Sequence, residues 1–160
     1  MLQRILIVDP SESAQTALAE ALAGEAAELL AARTPEQAVA QLASSEVDVI
    51  LCDRDLDGID DFDLVWQLAR LQPDVAILLT AEGDRAALAA DALRRGACGC
   101  LARPFSTGEL LLALRSCRQR AELGRSNRLL RRELDRTGGD TPIVAASPVM
   151  SELLERLERL

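Results

Sequence analysis

Val47-Asp48-Val49-Ile50-Leu51-Cys52-Asp53-Arg54-Asp55-Leu56-Asp57-Gly58 is the stretch that decides the fold of this 160-residue chain. The run over 47–52 is apolar apart from Asp48. It stops on Asp53 and opens into an acidic segment closed by Gly58. Such a run reads as a buried strand that delivers a carboxylate to a sheet edge. In open α/β sheets, sites assemble at the carboxyl ends of the strands. Asp53 is therefore a nucleophile, a metal ligand or a turn residue, and this stretch alone leaves all three open.

Outward from it, strand and helix patterns alternate. Strands are expected at 4–8, 48–52, 75–79 and 98–102. Residues 28–32 form a weaker strand whose composition also suits a helix. Helices are expected from Ser11 to about Leu22, capped by Ser11 or Ser13, and after Thr34, with Pro35 in the first turn and Gln37 at the capping-box position. A helix over 61–71 places Leu64, Val65, Leu68 and Leu71 on one side, and Pro73 ends it. Another over 84–95 closes on Gly96, and a long helix begins at Ser106. Five βα units with short links predict an α/β fold: a flavodoxin-like, doubly wound, five-stranded parallel sheet followed by an extended C-terminal linker helix. The ends of the first, third, fourth and fifth strands then gather Asp9, Asp53, Thr80 and Arg103 around one crevice.

Composition narrows the function. Hydrophobic content of 49% and charged content of 28% suit a globular protein with a real core. No apolar run is long enough to span a bilayer, and the first residues lack a signal-peptide core, so a cytoplasmic protein is expected. Residues 1–110 carry a net charge of −11 and residues 111–160 a net of +3. An acidic body argues against nucleic-acid binding by this part of the chain. Cys52, Cys98, Cys100 and Cys117 show no C-x-x-C spacing, and the chain has no histidine. A zinc site would need rare ligand sets, so buried reduced thiols are expected.

Ile5-Leu6-Ile7-Val8-Asp9, Val49-Ile50-Leu51-Cys52-Asp53, Ile77-Leu78-Leu79-Thr80-Ala81 and Arg103-Pro104-Phe105, taken in this order and spacing, resemble a response-regulator receiver domain over residues 3–118. The resemblance implies acyl-phosphate chemistry. Asp53 would be the phosphoacceptor, receiving a phosphoryl group from a partner sensor histidine kinase or a small phosphodonor. Mg²⁺ would be held by Asp9, Asp53 and a backbone carbonyl near Asp55. Thr80 would hydrogen-bond one phosphoryl oxygen and Arg103 would pair with another. Taken singly, Asp9 reads as a turn former, Thr80 as a strand residue and Arg103 as a surface charge.

The departures from the family pattern are specific. Pro10 stands where receivers carry a second acid, leaving Asp9 with at most Glu12 to help hold a metal. Arg103 stands where the family has a lysine, and a planar fork is no match for a compact ammonium. Cys100 replaces the aromatic that reports phosphorylation, and Leu56-Asp57-Gly58 replaces a Met-Pro-Gly turn. Two modes of action follow: phosphorylation on Asp53, or an atypical, phosphorylation-independent receiver.

Beyond the receiver, Leu123, Asn127, Leu130 and Leu134 recur at coiled-coil spacing, with Asn127 at a register-setting position. An amphipathic linker helix with a solvated arginine face explains the same pattern. Exposed leucines there argue for a partner, and a homodimer through receiver and linker helix is expected. After Thr137-Gly138-Gly139-Asp140, the segment Thr141-Pro142-Ile143-Val144, followed by Ser147-Pro148-Val149-Met150, resembles the opening of the AAA+ module in sigma-54-dependent activators of the nitrogen-regulator type. No G-x-x-x-x-G-K-[ST] loop occurs, so no ATPase activity is expected of these residues. The expected organisation is a receiver over 1–118, a helical linker over 119–139 and a truncated AAA+ start over 140–160. Sigma-54 RNA polymerase and DNA would be reached only through absent downstream domains.

Two rivals come from other classes. Asp53-Arg54-Asp55 fits the D-x-D element of haloacid-dehalogenase-type phosphohydrolases, with Thr80 as their second motif. Those enzymes place the nucleophile on the first strand and need a later acidic pair, where this chain has Arg103-Pro104-Phe105. A pure dimerisation module would ignore both Asp53→Asn and a phosphoryl mimic.

Overall fold

Alternate residues of each central strand point to opposite faces of one sheet, and this alternation organises the molecule. The computed structural model describes residues 2–56 and 61–137. Residues 57–60, within which the expected Leu56-Asp57-Gly58 turn falls, and residues 138–160, which hold the AAA+-like segment, lie outside the described residues. The elements are β1 (Leu2–Val8), α1 (Glu12–Ala21), β2 (Ala26–Ala32), α2 (Pro35–Ser44), β3 (Val49–Asp53), α3 (Asp61–Leu71), β4 (Ala76–Glu82), α4 (Arg85–Arg94), β5 (Gly99–Arg103) and α5 (Thr107–Thr137). All strand pairs are parallel, in the order β2-β1-β3-β4-β5. The order reverses at β1, which creates a crevice between the ends of β1 and β3.

Ile5, Ile7, Val49, Leu51, Ala76 and Leu78 face one layer, built with Leu18 and Leu22 at α1 and Leu110, Leu114 and Cys117 on α5. Leu6, Val8, Ile50, Cys52, Ile77 and Leu79 face the other, with Leu42 of α2, Leu64, Val65 and Leu68 of α3 and Ala92 of α4. Burying a leucine or isoleucine contributes roughly 1.5–3 kcal/mol. Both layers need their strands apolar on both sides, which is why β1, β3 and β4 read as near-continuous apolar runs.

The caps follow their sequence signals. Ser11 accepts from the Ala14 N–H and Thr34 from the Gln37 N–H. Gln37 returns its Oε1 to the Arg33 N–H at 2.8 Å, one residue before the cap itself. Ser106 and Glu109 form a reciprocal capping box at the start of α5. Gly96 has φ +88°, and the Ala97 N–H reaches the Ala92 carbonyl while the Gly96 N–H reaches that of Leu93. This pair of hydrogen bonds is the Schellman closure of α4, and glycine enters that backbone region without strain.

Three details differ from the sequence reading. Residues 26–32 form a full strand, because pairing with β1 along its length outweighs the helical preference of its alanines. β4 runs on through Thr80 to Glu82, carried by its ladder with β5. Leu71 is exposed, since at the end of α3 it is Gln72 that turns inward. The Gln72 amide accepts from the Val47 N–H at 3.0 Å and donates to the carbonyls of Leu42 at 3.0 Å and Ser45 at 2.6 Å.

Residues 1–124 and 125–160 form separate compact units. In the second, Leu129, Leu130 and Leu134 are exposed along the helix. No helix among the described residues is long and apolar enough to cross a membrane.

Candidate functional site

β3 ends on Asp53, β5 ends on Arg103, β4 carries Thr80, and Asp9 directly follows β1. The parallel register sets Asp53 beside Thr80 and Glu82 beside Arg103, so strand pairing alone brings these positions to one edge. Asp9, Asp53 and Thr80 are the buried polar or charged residues described, 2%, 7% and 1% exposed. Their convergence is not incidental, because buried charges need partners.

The partner is one nitrogen. Nη2 of Arg103 donates to Oδ2 of Asp9 at 2.9 Å and to Oγ1 of Thr80 at 3.0 Å. It lies 3.9 Å from Oδ2 of Asp53. That nitrogen carries two protons, so the hydrogen bonds to Asp9 and Thr80 engage both. Its attraction to Asp53 is purely coulombic. Asp9 is engaged from its other side as well, since Oδ1 accepts from the Ser11 N–H at 2.8 Å. Asp53 Oδ1 accepts from the Asp55 N–H at 3.1 Å, which leaves Oδ2 as the carboxylate oxygen without a donor.

Burial pushes the Asp53 carboxyl above the ordinary carboxylate range. The Asp55 N–H and the Arg103 charge pull it back down, while Asp9 and Asp55 add repulsion. The backbone around the crevice is held by a residue that sequence reading did not single out. Gln15 on α1 donates to the carbonyls of Asp9 at 2.8 Å and Ala32 at 2.9 Å, tying the ends of β1 and β2 together. No local pattern marks such a contact, because it depends on two separate strands meeting one helix.

The other candidates fall elsewhere. Asp55 is exposed and meets Asp53 through its backbone N–H. Glu12 pairs with Arg33 at 2.8 Å. Cys100 is half-buried beside a charged cluster also missed from sequence. In it Arg54 reaches Asp91 of α4 at 3.3 Å, and Arg95 reaches the same carboxylate at 3.1 Å. An apolar cavity of about 730 Å³ opens along α1 and the β5–α5 corner, lined by Leu18, Phe105 and Leu110 and by Arg103 at one end.

The pattern of the response regulator receiver domain matches residues 5–115. The chain belongs to that family. A receiver domain is a regulatory unit of two-component signalling, not a catalytic enzyme domain. The chain is 27% identical over 159 residues to the C4-dicarboxylate transport transcriptional regulatory protein DctD of Rhizobium meliloti (strain 1021), covering 98% of this chain and 34% of that protein. It is 27% identical over 157 residues to the DNA-binding transcriptional regulator NtrC of Salmonella typhimurium, covering 98% and 32%. Among solved structures, NtrX from Brucella abortus in complex with ADP superposes with a TM-score of 0.75 at 23% identity, over 100% of this chain and 34% of that one. A CheY-like receiver domain protein from Methanospirillum hungatei superposes with a TM-score of 0.68 at 21% identity, over 78% and 99%. The chain spans about a third of the length of the curated relatives it matches.

Receiver domains generally bind Mg²⁺ at the phosphorylation site and interact with histidine kinases. The residues of this receiver fit that metal poorly. Pro10 offers no side-chain ligand, both oxygens of Asp9 already accept hydrogen bonds, and a guanidinium stands beside the acid pair. Among the described residues no three acids or thiols lie close enough together to hold an ion.

Proposed function

We propose that this chain is the signal-receiving domain of a sigma-54-dependent transcriptional activator and that Asp53 is its control residue. The observation that carries the proposal is the convergence of Asp9, Asp53, Thr80 and Arg103 at the carboxyl edge of a receiver sheet. The donor-free Oδ2 of Asp53 is the oxygen placed to attack phosphorus. A new O–P bond forms as the bond to the donor breaks, and the leaving group, imidazole in the case of a kinase phosphohistidine, departs with the electron pair. The cationic Arg103 and the hydroxyl of Thr80 would face the incoming oxygens, where developing charge needs stabilising.

In this reading residues 1–118 receive the signal, 119–139 link, and 140–160 open an AAA+ module. A sensor histidine kinase is the upstream partner. Sigma-54 RNA polymerase and DNA are engaged by parts of the protein beyond these residues, in the cytoplasm. The leucines exposed on α5 support a homodimer whose geometry the Asp53 site would bias, and a monomer at high micromolar concentration would remove that part.

A second reading, a phosphorylation-independent receiver governed by protein contacts, is favoured by the 2.9 Å Arg103–Asp9 bond, which engages the charge a phosphoryl group would need. Intact-mass measurement after incubation with a small acyl-phosphate donor decides between them, with Asp53→Asn as control. A single phosphoryl gain lost in the variant supports the switch. No gain, and no beryllofluoride binding, supports the second reading.

A further inference from the structure

We infer that the guanidinium of Arg103 takes the place of the divalent cation of this site, offsetting one of the two charges of the Asp9–Asp53 acid pair from within and keeping Mg²⁺ out. The inference rests on the Asp53 edge being the receiver's control site, but not on Asp53 being phosphorylated.

Two buried carboxylates facing one crevice repel each other, and the fold tolerates both as ions only if a cation sits against them. Here that cation is covalently part of β5. Nη2 of Arg103 lies 2.9 Å from Asp9 and 3.9 Å from Asp53, and Oγ1 of Thr80 at 3.0 Å fixes it in place. The β4–β5 ladder pins the backbone beneath it, with Arg103 opposite Glu82. Arginine suits this task better than lysine, because its charge is permanent and its donors are fixed in direction.

The same contacts dismantle a metal site. Mg²⁺ demands near-octahedral oxygen ligands at about 2.0–2.1 Å and sheds water reluctantly, so it needs carboxylate lone pairs that are available. Asp9 has one lone pair of Oδ1 engaged by the Ser11 N–H and one of Oδ2 by Arg103, which leaves the donor-free Oδ2 of Asp53 as the most open oxygen of the pair. Pro10 brings no ligand, Glu12 is drawn to Arg33, and Asp55 is exposed. An incoming dication would also meet the Arg103 charge directly. The loss of an acid at Pro10 and the arginine at Arg103 are then one adaptation: the second ligand is dispensable where no metal is to be held.

The test is Mg²⁺ binding by titration calorimetry and Mn²⁺ binding by paramagnetic resonance, on the full chain and on Arg103→Ala. Thermal unfolding in chelator and in excess Mg²⁺ runs beside both. The wild type should bind neither ion at millimolar concentration and should melt at the same temperature with or without Mg²⁺. A neighbouring cation moves the proton affinity of a carboxylate by about 1–3 pKa units, and a dication meets the same repulsion, so Arg103→Ala should bind Mg²⁺ at least about tenfold more tightly and be stabilised by it. If Arg103→Ala is unfolded in chelator, recovery of its folded state by Mg²⁺ gives the same support. Wild-type binding at submillimolar Mg²⁺ overturns the inference, as does an Arg103→Ala variant that gains neither affinity nor Mg²⁺-dependent stability. Neither result touches the phosphoacceptor role of Asp53, which stands or falls on the phosphodonor assay.

Discussion

Asp9→Asn and Asp53→Asn each remove one negative charge from the same sheet edge, yet they should move stability in opposite directions. Asp9 is 2% exposed and pairs with Arg103 at 2.9 Å. Asparagine keeps the shape and an acceptor for the Ser11 N–H, so the substitution isolates the loss of charge opposite the guanidinium. Removing one member of a fully buried ion pair costs about 3–5 kcal/mol. Arg103 is 30% exposed and keeps Asp53 at 3.9 Å, so water and the second acid absorb part of this. A loss of about 2 kcal/mol is expected. For Asp53 the balance differs, because burial raises its carboxyl pKa and outweighs the help from the Asp55 N–H and Arg103. An acid whose folded pKa lies above its unfolded value binds its proton more tightly when folded. Its ionised form therefore costs stability at neutral pH, and that cost disappears as pH falls from the raised folded value through 3.8. Asp53→Asn, which retains an acceptor for the Asp55 N–H, should be neutral or stabilising at pH 7 and converge with the wild type in acid. Urea unfolding at neutral and acidic pH measures both variants. An Asp53→Asn loss above about 1 kcal/mol at pH 7, or an Asp9→Asn variant as stable as the wild type, would refute the assignment of Arg103 to Asp9.

Gln72 satisfies three backbone groups of the α2–β3 turn through one half-buried amide. At about 1 kcal/mol net per bond, Gln72→Ala should lose about 3 kcal/mol in urea unfolding, and a loss under about 1 kcal/mol would show that water replaces the amide freely. Cys98 has its thiol pKa lowered to about 6, first by its hydrogen bond with the Cys117 side chain, while Cys117 is pushed up in return. Thiol labelling at Cys98 should therefore titrate below the ordinary thiol range, and Cys117→Ala should move its inflection up; an unchanged profile would break the pairing.

The sheet was legible because β1, β3 and β4 are buried on both faces, which forces short apolar runs bounded by turn residues. β2 was ambiguous because it lies at the edge of the sheet, where Ala26 to Ala32 consists of alanine and leucine around the single charge of Glu28, a composition that suits a helix as well, and strand identity comes from pairing with β1. The gathering of Asp9, Asp53, Thr80 and Arg103 was legible because strand order and strand ends are backbone properties. Which atoms meet was not. Whether Arg103 faces a phosphoryl group or bonds Asp9 depends on a side chain choosing among acids that are all within its reach. Gln15, Gln72 and the Arg54–Asp91–Arg95 cluster left no trace for a similar reason, since each joins groups from elements far apart in sequence.

Asp53 is flanked by two ionic ties of unequal strength, and the inequality indicates which gives way first. Toward β5, Arg103 is hydrogen-bonded to a 2% exposed Asp9 and to Thr80, a pairing that the low dielectric of the edge protects. Toward α4, Arg54, the residue after Asp53, meets Asp91 at 3.3 Å with side chains 31% and 24% exposed. A pair so wet contributes at most about 1 kcal/mol and is weakened by salt. Asp91 also has Arg95 at 3.1 Å, so it loses little when Arg54 leaves. A partner's acid pressed against this edge therefore loosens the Arg54–Asp91 pair more readily than the Arg103–Asp9 pair. Cys100 offers no aromatic ring to relay a change from Thr80. The Arg54–Asp91 pair is the looser of the two ties and the one that salt should weaken first.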